Sequence, residues 1–455
     1  MLAGRFSELA LPEVLAQHYS KGGLPEKAIH SWLQAGEKAI LRSGMEEAIS
    51  HFSSGLEDIA RLPATSQRPD LEIDLRVALA GVLTATKGQA AEEIQDQFLQ
   101  LRRLSEELGD LNRLFRALHP QWRMSNARAD HALGREMALQ ILEIGDRLGD
   151  DLSVCVASAC MGTTAANRGE FTAARAYLER AVAHDKFEVA QEATTWVGWD
   201  VGIQARKHLS RILANLGFLD QGARCLDELA QRSQRQSQAL NKAYALHAVA
   251  DFGWYVRDIA RVKQATETLS KLTADYSIPY YQAMARFYSS WLQVESGDIS
   301  EGIKGMQAAL DLQTAIGMSA DTIRKRGMLA DCLRKSRQFD KGLALVDDAL
   351  SLIESRSEWD NKAEILRIKG ELLHECGAGY IDAAQAAFLE AIDQAGRQGA
   401  RQYELRAATN LAQLWIAQGR KDEARALLMP RYAWFTEGFD FPDLQAARKL
   451  LEHLV

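Results

Sequence analysis

Two stretches about 40 residues apart read as copies of one helical hairpin, and this spacing limits the chain to very few folds. Gly297-Asp298-Ile299-Ser300-Glu301-Gly302 returns as Arg337-Gln338-Phe339-Asp340-Lys341-Gly342, and Ile303, Met306 and Leu310 return in register as Leu343, Val346 and Leu350. Apolar positions at i, i+3 and i+7 mark one face of a helix, not the alternation of a strand. An apolar residue three before a small one marks the same turn at Phe171 with Ala174, Leu219 with Gly222 and Tyr380 with Ala383, and more loosely at Ile259 and before Ala424. A small residue there lets the two helices of a hairpin approach closely. A unit of this size cannot bury its apolar face alone, so the expected fold is a solenoid in which each hairpin covers its neighbour.

Composition agrees. At 455 residues the chain is too long for one ordinary core, yet no Pro/Ser-rich linker divides it, and only 8 prolines occur. A hydrophobic content of 47% excludes a disordered protein, and a net charge of -7 with both signs interspersed gives no reason to expect nucleic acid. No stretch approaches the roughly 20 apolar residues of a membrane span, and no signal-like run precedes the first helix. Five scattered cysteines do not suggest a disulfide frame. The expected compartment is the cytoplasm, with no membrane.

The expected divisions are N-terminal helical hairpins over 1–62, a repeat array over 63–430 and a C-terminal cap over 431–455. Pro12 opens a first helix, Pro25 a second and Met45 a third. The pattern is weakest between Gly88 and Asp150, where Pro120 and Gly134 interrupt it. Asp185 to Gly202 carries about eight residues more than the period requires and holds Trp196, Trp199 and Asp200; irregular loops in compact arrays are often functional. At the end, Trp434, Phe435, Phe439 and Leu444 are available to cover the apolar face left by Leu411, Leu414 and Leu427.

Leu15-Ala16-Gln17-His18-Tyr19, Trp32-Leu33-Gln34-Ala35-Gly36, Ala85-Thr86-Lys87-Gly88 and Trp434-Phe435-Thr436-Glu437-Gly438-Phe439-Asp440 resemble the C-terminal tetratricopeptide-type arm of bacterial class III adenylate/guanylate cyclase-like proteins that carry an AAA or STAND-class ATPase domain. The resemblance covers essentially the whole chain. It implies an all-α, right-handed superhelical solenoid of tetratricopeptide-like hairpins with a period of about 40, and an arm that senses a ligand or partner and gates the ATPase. A period near 40 also overlaps HEAT repeats; similar helix lengths and the small residue after the turn favour the tetratricopeptide type. Met1 falls close to where such an arm begins, so the expectation is an excised arm or a stand-alone product.

Chemistry has no recognisable setting. There is no G-x-x-x-x-G-K-[ST], no H-E-x-x-H and no C-x-x-C; the ten histidines stand singly, and no cofactor or metal is expected. Cys155 and Cys160 read as small core residues. The basic run Arg324, Lys325, Arg326, Arg334, Lys335 and Arg337 is either solvated surface or a groove for an anionic partner. Trp254, Tyr255, Tyr280, Tyr281, Tyr288 and Trp291 either pack repeats together or line a ligand groove. The candidate binding residues are Trp196, Trp199, Asp200, Trp254, Tyr255, Tyr281, Tyr288, Arg324 and Arg326.

The function expected is that of a non-enzymatic regulatory arm, binding a protein, peptide or small effector on its concave face, with an ATPase or cyclase domain as a further expected partner. A free-standing scaffold is the alternative. An α-toroid enzyme would need convergent acidic or metal-binding residues, which the sequence does not supply. Without a phosphate-cradling loop, the purified chain should neither bind nor hydrolyse nucleotide; ATP or GTP turnover assayed on the chain alone checks this.

Overall fold

The structure is a computed structural model that describes residues 11–41, 44–62, 68–87, 92–187, 197, 199–236, 238–276 and 278–454. Among the described residues there are helices and no strands, and the architecture is the all-α solenoid of tetratricopeptide-like hairpins. The chain divides into two compact units, Met1–Ala127 and Arg128–Val455.

In the first unit, helices Pro12–Lys21, Pro25–Leu41, Met45–Arg61, Arg68–Lys87 and Glu92–Leu108 pack on one another in sequence, and Phe52, Leu75 and Phe98 lie in their common core. Asp58 is buried there because three donors meet it: Ser20 Oγ at 2.8 Å, Trp32 Nε1 at 3.0 Å and Arg61 at 3.0 Å. Pro120 is accommodated inside Leu111–Arg128 and does not break it.

The second unit carries the regular array. Its hairpins pair Asp151–Asn167 with Phe171–Ala183, Val201–Asn215 with Leu219–Gln234, Ala239–Tyr255 with Ile259–Asp275 and Pro279–Glu295 with Ile299–Ala315. They continue with Thr322–Lys335 and Phe339–Arg356, Lys362–Cys376 and Ile381–Gln398, and Arg401–Ala417 and Lys421–Ala433. Six of these seven hairpins share one turn construction. The residue two before the second helix has positive φ at Gly169, Gly217, Gly297 and Gly419, and also at Arg257 and Arg337. The next N–H then reaches back to the carbonyl five residues earlier, as from Asp298 to Gln293 (2.9 Å) and from Gln338 to Leu333 (2.9 Å). That closes these first helices with a Schellman-type cap.

The small-residue anchor has the expected cause. A Cβ on Gly302 would lie 2.5 Å from the Ser290 carbonyl oxygen, so the hairpin cannot close over any side chain there. Two copies depart from the expected register. In the Ile259 copy the equivalent residue is Val262, and the small residue sits across the contact at Gly253, whose added Cβ would meet Val262 at 3.1 Å. In the next-to-last hairpin an extra 3₁₀ turn, Ala378–Tyr380, shifts the anchor by one: Tyr380 and Ala383 are exposed, and Ala384 is buried.

The first helices of successive hairpins also touch each other and form the inner layer, and Val201–Asn215 touches Arg401–Ala417. The array has therefore wound through one turn and met itself. Arg211 pairs with Asp360 at 3.1 Å, and Tyr255 packs edge-on against Tyr403 with ring centres 5.4 Å apart. Buried Arg406 donates to Asp443 at 2.6 Å and to the Tyr255 carbonyl.

The C-terminal segment belongs to this closure. Phe435, Leu444 and Leu451 are buried in the main core, each worth about 1.5–3 kcal/mol against exposure. Trp434 and Phe439 stay largely exposed, and Trp434 lies edge-on to Phe218 (5.9 Å). Glu437 accepts from the Gln221 backbone N–H (3.0 Å) and side chain (3.1 Å), the Gly438 N–H donates to Asp220 (3.0 Å), and Asp443 pairs with Arg257 (3.0 Å). The segment thus holds a hairpin some 200 residues earlier as well as the last repeat. Truncation after Met429 should raise amide exchange at 216–222 and 254–258 in addition to the hairpins beyond 380; exchange confined to the last hairpins would mean that the closure contributes nothing.

Candidate functional site

Inside the turn, four inner helices put polar and aromatic side chains where aliphatic ones would fill a core. Val201–Asn215 contributes Lys207, His208 and Arg211; Ala239–Tyr255 contributes Tyr244, His247 and Asp251. Pro279–Glu295 adds Tyr280, Tyr281 and Tyr288, and Thr322–Lys335 adds Arg324 and Lys325, with Asp321 just before it. Spacings of three, four and seven place Tyr244, His247 and Asp251 on one helical face, and Lys207 with Arg211, Tyr281 with Tyr288, and Asp321 with Arg324 follow the same rule.

The aromatic part is a connected wall. Trp199 stacks on Tyr244 at 5.9 Å and 6°, Tyr244 meets Tyr281 edge-on at 6.5 Å, and His247 lies about 6 Å from Tyr280, Tyr281 and Tyr288. The Lys207 ammonium sits 4.7 Å above the Tyr244 ring and that of Lys325 5.6 Å above Tyr280. Such cation–π contacts are stronger when water is displaced.

The charged part centres on Arg324, which is 3% exposed and lies 2.9 Å from Asp251 and 3.2 Å from Asp321. None of its N–H groups is in hydrogen-bond geometry, although the charges pair by distance. The Tyr288 hydroxyl donates to Asp251 at 2.8 Å. Asp321 has a left-handed backbone, φ 59°. Burial works against its carboxylate, but Arg324 and Lys207 hold its pKa well below the usual range. Burial pushes the Lys325 ammonium down to about 8, against the pull of Asp321, and lowers Lys207. Both histidines are driven well below their ordinary value by burial, with Lys207 adding to it, and are neutral near pH 7. Both His247 ring nitrogens lack hydrogen-bond partners, although the residue is fully buried.

Of the residues expected from sequence, Tyr281, Tyr288 and Arg324 converge here, and Trp199 extends the wall. Arg326 turns away and pairs with Asp348 of the outer Phe339–Arg356 helix (2.9 Å). Asp200 is a structural hub: it caps Val201–Asn215 through the Ile203 N–H (2.9 Å) and accepts from Arg232 (2.7 Å) and Gln236 (2.6 Å), which leaves no oxygen turned to a ligand. Tyr255 belongs to the closure, donating to Asn215 at 2.6 Å, and Trp254 packs between two core clusters. Trp196 lies outside the described residues.

Lys325 comes from the basic run read either way in the sequence; Lys207, His208, Tyr244, His247 and Asp321 were not expected. Their signal was available in the period: Lys207 and His247, Arg211 and Asp251, and Tyr281 and Asp321 are each 40 apart, and Tyr244 and Arg324 are two periods apart. Equivalent inward positions thus carry polar or aromatic groups in repeat after repeat. An open groove of about 680 Å³ lies elsewhere, between the outer helices Ile299–Ala315 and Phe339–Arg356 over Leu329 and Leu333 of Thr322–Lys335, and contains none of these charges. Among the described residues no group of three His, Cys, Asp or Glu side chains could hold a metal, and no helix is long and apolar enough to cross a membrane.

No family model matches the chain. An uncharacterized protein of Rhizobium meliloti (strain 1021) is 21% identical over 414 residues, which cover 89% of this chain and 39% of that protein. The chain therefore spans well under half the length of this relative. Among solved structures, a Rap protein complexed with competence and sporulation factor is similar over 81% of this chain and 98% of its own, with 11% identity and a TM-score of 0.56. A STAND protein with a tetratricopeptide repeat sensor from Pyrococcus horikoshii is similar over 88% of this chain and 57% of its own (11% identity, TM-score 0.43). Human IFIT1 with PPP-AAAA is similar over 98% of this chain and 93% of its own (13% identity, TM-score 0.46). The expectation that nucleic acid is not a partner is not supported by the comparisons. The fold is that of the tetratricopeptide-type solenoids.

Removing one partner of a buried ion pair leaves the other charge without compensation. Asp251→Ala should therefore cost about 3 kcal/mol or more of stability, whereas Arg326→Ala on the outer face should stay within about 0.5 kcal/mol. Urea unfolding of the two variants measures the difference.

Proposed function

We propose that this chain is a non-catalytic binding and regulatory arm that holds a peptide, a partner segment or a small effector in the interior of its second unit. The reading rests on one observation: buried Arg324, Lys325 and His247 stand with Tyr280, Tyr281 and Tyr288 on inner helices of successive repeats, with N–H groups and ring nitrogens left unsatisfied. A core built for packing alone would place aliphatic residues there, since buried polar groups without hydrogen bonds cost about 1–3 kcal/mol each. An occupant that satisfies them gains what the empty fold lacks.

Regulation follows from geometry. An occupant touching four inner helices favours one pitch of the array over others, and two of them, Val201–Asn215 and Ala239–Tyr255, carry contacts that close the turn. The relative of more than twice this length supports the idea that such an array works attached to other domains. The resemblance to cyclase-like proteins with a STAND-class ATPase names the kind of domain, acting in the cytoplasm. The candidate contacts are Trp199, Tyr281, Tyr288 and Arg324, together with Tyr244 and His247.

The test is retention. The full chain is incubated with a peptide and metabolite extract, and native mass spectrometry identifies what stays bound. Tyr244→Ala/Tyr281→Ala should lose the retained species with helical circular dichroism unchanged. Equal retention by the double variant, with exchange protection appearing on the outer helices, would instead favour a scaffold that assembles proteins on its convex face.

A further inference from the structure

The lumen has an uneven balance of charge. Its carboxylates are committed: Asp251 and Asp321 lie on Arg324, and Asp360 lies on Arg211. Lys207 and Lys325 have no carboxylate within ion-pair distance among the described residues. Lys325 is fully buried, and its ammonium has one side-chain acceptor, Gln313 Oε1 at 3.2 Å. Each ammonium is held over a tyrosine ring, and the two are close enough for Lys207 to depress Lys325. His247, which feels the charge of both ammonium groups, has both ring nitrogens unpartnered although it is fully buried and within about 6 Å of three tyrosine rings.

A fully buried ammonium at Lys325 and a half-buried one at Lys207, both without a carboxylate partner, are costly unless a third party supplies the negative charge. Resting on the reading of the lumen as the binding surface, we propose that its occupant carries an oxyanion, a carboxylate or a phosphate, seated between Lys207 and Lys325 with His247 as a further hydrogen-bonding group and the tyrosine rings beside it. The depth of the position restricts this to a small anion or the charged end of a short chain. A charge-assisted contact from each ammonium would fix the anion, and the rings would hold an apolar or planar remainder.

The groups that face Lys325 give the pH dependence. On its own helix these are Arg324 and the preceding Asp321; from the other inner helices they are Lys207, His247, Asp251 and Tyr280, and from the outer Ile299–Ala315 helix only neutral Gln313. Lys325 is charged below about pH 8 and loses its proton above it. Anion affinity should therefore be highest below pH 8 and fall as the pH rises through that value.

The probes are inorganic phosphate, the tripeptide Ala-Phe-Ala with a free carboxylate, and the same tripeptide as its C-terminal amide, each titrated into the full chain by calorimetry and thermal unfolding against chloride of equal ionic strength. Saturable binding of phosphate or of the acid peptide, with no response to the amide, supports the inference; phosphate alone assigns the source to a free anion, and the acid peptide alone to a chain terminus. Lys325→Met and Lys207→Met should each weaken that binding at least about tenfold, while Lys304→Met on the exposed outer face should not. Lys325→Met should fold at least as stably as the parent without anion, since an apolar side chain replaces an uncompensated charge. A response equal to that of chloride, or one unchanged in both lumen variants, overturns the proposal. If a species found in the retention test stays equally bound to both lumen variants, the anion site is wrong and the binding arm stands. If the probes bind and nothing is retained from extract, the anion site stands without the regulatory reading.

Discussion

Arg406 is the group on which the second unit's closure depends. It is almost fully buried and reaches three acceptors from distant parts of the chain: Asp443 of the C-terminal helix, Glu364 of an inner helix and the carbonyl of Tyr255, with its guanidinium over the Tyr255 and Tyr403 rings. Burial alone would raise the Glu364 carboxyl, yet Arg367 and Arg406 bring it down to about 2. A guanidinium in such a place is stable only when every part of this surrounding is assembled, because taking its charge out of water costs several kcal/mol. The arrangement therefore specifies how far the array winds before it meets itself more than it adds to stability. Arg211 with Asp360 and Arg257 with Asp443 fix the same register at two other points.

The polar interior is built by neighbouring repeats. His247 is enclosed by the tyrosines of the next hairpin, and Lys325 by Tyr280 and Gln313 of the preceding one, so the imidazole is neutral and the lysine holds its proton less firmly. The same enclosure gives the tyrosine wall its range, since ring–cation attractions fade in bulk water.

Local features were legible in the sequence. Period, hairpin turns and the small-residue anchor follow from contacts inside one repeat, and those depend on residues a few positions apart. Even the departures have local causes: at Ile259 the glycine moved to the facing helix as Gly253, and at Tyr380 an added 3₁₀ turn shifted the anchor to Ala384. The candidate site was legible in part. Tyr281, Tyr288 and Arg324 were found by residue type. Arg324 and Arg326 look alike by residue type, but two positions along a helix put them about 200° apart, so they face opposite ways. Asp200 was judged by its irregular surroundings, although an aspartate before a helix is ordinarily a cap. The pairing of Tyr255 with Tyr403, and of Trp434 with Phe218, depends on how much each hairpin rotates relative to the last. No short-range pattern encodes that rotation.

A coil whose successive turns touch resists compression and extension differently. Squeezing the second unit along its axis loads the packed faces around Tyr255 and Tyr403, whereas pulling it apart loads a few polar contacts, those of Glu437, Gly438 and Asp443 with Gln221, Asp220 and Arg257. Polar contacts are short-ranged and fail within a small displacement, after which the outer hairpins can swing with little further resistance. The unit is thus stiff up to a threshold load and compliant beyond it, which gives two mechanical regimes to a fold otherwise built from identical springs.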